Sequence, residues 1–132
     1  MPRNSSMLLG AACCLGLAWS SLAAAGDCQP KPGREPIRVN VGTDGTPTVS
    51  QSSASYCEGE AVRWVFTGAG GKEFSIIFGS GEGTPFDWDR QTGNTVTGTV
   101  RPGAAKAGQS TPYKYDVVID GVVLDPVIVI EP

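Results

Sequence analysis

Glu60-Ala61-Val62-Arg63-Trp64-Val65-Phe66 alternates along its length, with Val62, Trp64 and Phe66 on one side and Arg63 and Val65 on the other. A period of two is that of a β-strand with one buried face, and the β-branched and aromatic content agrees. Gly68-Ala69-Gly70-Gly71 follows and predicts a hairpin loop. The chain then resumes as a strand over Phe74 to Phe78, with Phe74, Ile76 and Phe78 on one face.

Outward from this pair the same period recurs. Ile37, Val39 and Val41 alternate with Arg38 and Asn40, and Gly42-Thr43-Asp44-Gly45 signals a turn before a short strand over Thr46 to Ser50. Gln51 to Tyr56 is polar and reads as a connection ending at Cys57. Gly79 to Gly93 reads as a long irregular loop rich in glycine and acids. Thr95 to Arg101 is a β-branched strand, and Pro102 to Pro112 a second loop. Tyr113, Tyr115, Val117 and Ile119 alternate with Lys114, Asp116 and Asp120; Asp120-Gly121 makes a turn, and Val127 to Ile130 closes the chain. No stretch beyond the leader carries helical periodicity, and the chain's 18 glycines and ten prolines, all but three of them beyond the leader, punctuate short strands, the pattern of a sandwich or barrel.

The first 25 residues read as a secretory signal peptide. Arg3 supplies the positive start, Met7 to Leu22 an apolar run, and Ala23-Ala24-Ala25 a small-residue cleavage site before Gly26. The run is short for a membrane-spanning helix and has no basic stop signal behind it. A lipoprotein signal fits less well, because Gly10 stands where leucine is wanted before Cys13. Residues 26–132 then form one domain of about 107 residues, long enough to bury roughly 65% of its unfolded surface. Cys13 and Cys14 leave with the leader. Cys28 and Cys57 remain, and in an oxidising compartment two such thiols form a disulfide.

Without Arg3 the chain holds nine basic residues against thirteen acidic, a net charge of about −4. No basic run exists to displace counterions from phosphate, which excludes nucleic acid as a partner class and a polybasic membrane-surface role with it. Histidine is absent from the whole chain, so neither a Ser-His-Asp nor a Cys-His nucleophile system can be assembled, nor a histidine-rich zinc site. Gly70-Gly71-Lys72 fails as a phosphate loop, because Phe66 and Glu73 stand where glycine and Ser or Thr are required. Gly79-Ser80-Gly81 fails as a nucleophile elbow, since Phe78 and Glu82 replace the outer glycines.

The acidic loop carries the remaining chemistry. Glu82, Asp87 and Asp89, with Gln91 and Asn94 nearby, offer oxygens to a hard cation, although Thr92 and Gly98 occupy positions where an EF-hand needs Gly and Glu. Two such carboxylates would also serve glycoside chemistry, for which a domain this small seldom provides a cleft. Trp88, with Phe86 beside it, offers a face to a sugar or a protein; the preferred alternative is that one or both rings fold back to cap the core, since a small sandwich needs large side chains at its ends.

The second half resembles the cupredoxin family. Val62-Arg63-Trp64, a loop and Phe74-Ser75-Ile76 look like the family's strand with a central aromatic, followed by the strand that carries the first histidine ligand. Tyr113-Lys114-Tyr115-Asp116-Val117 looks like the Tyr-x-Tyr-x-Cys entry to the copper loop, and Val127 to Ile130 like the closing strand. The likeness covers about Ile37 to Glu131 and implies a small all-β Greek-key β-sandwich. The ligands are missing: Val117 stands at the cysteine, Lys72, Glu73 and Ser75 lie near the first histidine, and Asp120 to Asp125 holds neither histidine nor methionine. Blue copper needs two imidazoles and a thiolate, so the resemblance implies architecture and export without the metal.

The expectation is therefore a periplasmic or secreted, monomeric, non-enzymatic cupredoxin-like domain. It has no cofactor and no membrane span after cleavage, and works as an interaction or structural module for a protein or small ligand. The first alternative is a calcium or carbohydrate module using Glu82, Asp87, Trp88 and Asp89 in the loop at 79–94; the second is a small secreted enzyme inhibitor.

Overall fold

The computed structural model describes residues 28–79 and 81–132, and over them the protein is all-β. The leader expected over 1–25 and the mature start expected at Gly26 lie outside the described residues. The strands are β1 (Ile37–Val41), β2 (Pro47–Val49), β3 (Ser53–Cys57), β4 (Ala61–Phe66), β5 (Phe74–Ile77), β6 (Arg90–Gly93), β7 (Thr95–Thr99), β8 (Thr111–Lys114), β9 (Asp116–Ile119), β10 (Val122–Leu124) and β11 (Val127–Glu131). One 3₁₀ turn, Lys106–Gly108, precedes β8.

Three sheets form. The first has the order β2-β1-β4-β7, the second β10-β9-β5-β6, and the third β3-β11-β8. Pairing is antiparallel except for β1 with β4 and β3 with β11. The first two sheets approach one another at both margins, β2 beside β10 and β7 beside β6.

The alternation in β4 has the expected result: Val62, Trp64 and Phe66 are buried while Arg63 is exposed. Ile37 and Val39 from β1, Phe74 and Ile76 from β5, and Val117 and Ile119 from β9 meet them in one cluster. Each side chain of this size contributes about 1.5–3 kcal/mol relative to leaving it in water. The Asp120-Gly121 turn has positive φ at both residues, 51° and 77°. This is the backbone a two-residue hairpin needs, and it closes β9 on β10 with Ile119 opposite Val122.

Several local expectations are corrected. Gly68 to Gly71 does not close a hairpin, because β4 and β5 belong to different sheets. Each has one apolar face, and placing those faces across the core buries both. Gln51 to Tyr56 is not merely a connection: its second half is β3, with Ala54 and Tyr56 buried, held by a parallel ladder to β11. The end of the long loop is β6, paired with β5. Val122 to Leu124 is a strand rather than loop. The run from Tyr113 to Ile119 is two strands in two sheets, parted at Tyr115.

Candidate functional site

The segment joining β5 to β6 carries Glu82, Asp87, Trp88 and Asp89. Its backbone is tied down at several points. Thr84 Oγ1 donates to the Trp88 carbonyl at 2.7 Å and accepts from the Phe86 amide at 3.1 Å. Arg101 Nη2 donates to the Thr84 carbonyl at 2.7 Å, and the Phe78 amide to the Asp89 carbonyl at 2.8 Å.

These ties turn the two rings inward. Phe86 is buried and Trp88 half-buried against the core. The two stack at 4.8 Å between centroids with 13° between planes. Trp64 meets Phe86 edge-on at 5.9 Å and Trp88 at 6.4 Å. Phe78 packs on Phe86 at 5.5 Å and on Tyr115 at 5.1 Å. The space for this comes from β7, where Gly98 lies under the stack: a Cβ there would stand 2.7 Å from Phe86 and 2.9 Å from Trp88. Trp64 Nε1 donates to the Tyr115 hydroxyl at 3.1 Å, so the buried indole N–H has an acceptor. Burial pushes the Tyr115 phenol well above its ordinary value of 10, with the Trp64 hydrogen bond acting weakly the other way.

The acids of this loop face outward. Asp87 and Asp89 are exposed, and Glu82 forms an ion pair with Lys106. Among the described residues, no group of three or more His, Cys, Asp or Glu side chains is placed to hold a metal ion. The positions that resemble copper-ligand positions diverge as well. Val117 points into the core, opposite Ile76 and Leu124. Ser75 lies on the outer face of the same sheet, hydrogen-bonded to Thr92 at 2.7 Å.

A second feature, missed from sequence, lies beside the disulfide, joined to the acidic loop through Val100, whose amide donates to the Glu60 carbonyl at 2.9 Å, and Arg101, whose amide donates to the Pro85 carbonyl at 2.9 Å. Cys28 and Cys57 are joined as expected, their Cα atoms 5.6 Å apart. Beside them is a pocket of ≈ 210 Å³ lined by Lys31, Arg34, Tyr56, Glu60 and Glu131 among others. The Arg34 guanidinium lies 3.7 Å over the Tyr56 ring and 3.4 Å from the Glu60 carboxylate, and it donates to the Ser55 carbonyl. Glu60 also accepts from the Cys57 amide at 2.8 Å. Burial raises the Tyr56 phenol, partly offset by the Arg34 charge. Arg34 and Glu60 thus compensate one another, and the pair pins the proline-rich arm against β3 and the start of β4. The signal available in the sequence was a lone arginine, Arg34, between Pro32 and Pro36.

The outer face of the β10-β9-β5-β6 sheet is the third feature. Val123 is 54% exposed on β10, with Val118, Ser75 and Thr92 beside it in register. Val122 is 43% exposed, and the two valines are the exposed large hydrophobics among the described residues. No helix among the described residues is long and apolar enough to cross a membrane. Compared with known proteins, the chain matches no family model and no curated protein.

Proposed function

We propose that this chain is an exported, non-enzymatic domain of cupredoxin-like, Greek-key architecture without copper, and that it acts as an interaction module. The observation that carries the reading is the exposure of Val122 and Val123 on β10, a sheet-edge strand; every other large hydrophobic among the described residues is buried or half-buried. An exposed apolar patch is where another chain gains most by covering it. The architectural part draws support from strand orders in which strands distant in sequence pair, β1 with β4, β4 with β7 and β5 with β9.

The test is site-specific photo-crosslinking in the protein's own compartment, with the reactive group at position 123 and a control at position 63 on the opposite sheet. Protein adducts from 123 and not from 63 support the reading. No adduct from either overturns it. A rise in melting temperature on adding calcium or oligosaccharide transfers the function to the acidic loop, since a ligand that binds only the folded state must stabilise it.

A further inference from the structure

The outer face of the β10-β9-β5-β6 sheet carries a charge pattern with its own symmetry. Ile77 on β5 lies directly opposite Asp116 on β9 and Arg90 on β6. The three side chains therefore form one row across the sheet, an acid and a base flanking an isoleucine. Ile77 and Asp116 are half-exposed and Arg90 is exposed. Among the described residues neither Arg90 nor Asp116 has an ion-pair partner, although Lys72 with Asp120 and Lys114 with Asp125 are paired nearby. The next row is uncharged, with Val118 and Thr92 flanking Ser75.

A two-fold axis running along β5 in the plane between two facing sheets maps this row onto itself reversed. Ile77 meets its own copy, Asp116 of one molecule comes to lie over Arg90 of the other, and Arg90 over Asp116. Val118 comes to lie over Thr92 in the second row by the same operation. Sheets packed face to face stand about 10 Å apart, within reach of an arginine side chain. An isologous dimer requires a surface complementary to itself, and a row reading acid, apolar, base is such a surface.

We propose that the partner of this face is a second copy of the same chain, packed sheet on sheet about Ile77 and registered by two reciprocal Arg90–Asp116 pairs. The inference rests on the reading of the domain as an interaction module and names its partner. The overlap covers β9, β5 and β6, roughly three strands by four residues or about 14 Å by 13 Å, which is below the size of obligate interfaces. The association is accordingly weak, with Kd on the order of 10 μM to 1 mM, and sensitive to salt.

Sedimentation equilibrium of the full mature protein from about 2 μM to about 2 mM spans that range. The wild type should shift from monomer to dimer across it. Arg90→Asp and Asp116→Arg each set like charges face to face twice, and each should weaken the dimer at least about tenfold. The combined reversal, R90D/D116R, restores both pairs and should return Kd to within roughly threefold of wild type. A monomer throughout, a dimer indifferent to the single reversals, or a double reversal as weak as the singles would overturn the proposal. Its failure leaves crosslinking from position 123 to a different protein as the separate test of the module reading.

Discussion

Trp64 and Tyr115 stand 51 residues apart in sequence, yet the indole N–H of one ends on the hydroxyl of the other in the buried centre of the molecule. Trp64 belongs to β4 in the first sheet, and Tyr115 sits where the chain leaves β8 in the third sheet for β9 in the second. Their rings meet edge-on at 5.5 Å. One bond thus ties three sheets, and Tyr115→Phe removes the acceptor while keeping the ring. We expect a loss of about 1–3 kcal/mol in denaturant unfolding, the cost of leaving a buried donor unpaired. Trp64→Phe combined with Tyr115→Phe should cost less than the sum of the two; strict additivity would show that the bond contributes nothing.

The same tyrosine sets an alkaline limit. Its folded-state phenol titrates above the unfolded value of 10, so between the two the unfolded chain releases a proton that the folded one keeps. Stability from this source is complete below about pH 10 and falls as pH rises beyond it. Tyr56 acts in the same direction. Melting curves from about pH 8 to pH 11.5 should decline from near pH 10, and Tyr115→Phe should flatten the decline. A flat wild-type profile over that window would contradict the burial of both phenols.

Gly98 is a packing requirement more than a conformational one. A Cβ at 2.7 Å from Phe86 and 2.9 Å from Trp88 must push the stacked pair off β7. Gly98→Ala should cost about 1–3 kcal/mol and shift tryptophan emission to longer wavelength as Trp88 leaves the core. Unchanged emission and melting temperature would mean that the loop does not rest on β7.

Removing the disulfide by Cys57→Ser opens a loop with a sequence separation of 29. On the chain-entropy model this costs roughly 3–4 kcal/mol, read as a lowered denaturant midpoint. Reduction of the wild type should give the same shift. A midpoint equal to that of the oxidised protein in both cases would remove the bridge from the account of stability.

Much of this was legible in the residues. Val62, Trp64 and Phe66 announced a buried face by period alone, and the pairing of Cys28 with Cys57 followed from their being the two cysteines beyond the expected leader. β3 was obscured because Ser53 and Ser55 look like loop residues; the strand exists through its ladder to β11, which no local pattern reports. The break at Tyr115 was hidden by an alternation that persists while the chain changes sheets, since both sheets face one core. The inward fold of Phe86 was one of two readings open from the sequence. Pairing of Glu82 with Lys106, 24 residues on, and of Arg34 with Glu60, 26 on, depends on loop paths that carry no period.

The parallel ladder between β3 and β11 has a kinetic consequence. Ile128 aligns with Ala54, and in its sheet β3 has no neighbour except β11. A ribosome delivers the chain N-terminus first, so β3 is made long before its partner and keeps an unpaired edge until the final strand emerges. The contact spans most of the described chain, and loop closure of that length slows folding. Tyr56 and Ala54 lack that partner strand for the interval, which makes the nascent chain most prone to aggregation just before β11 emerges.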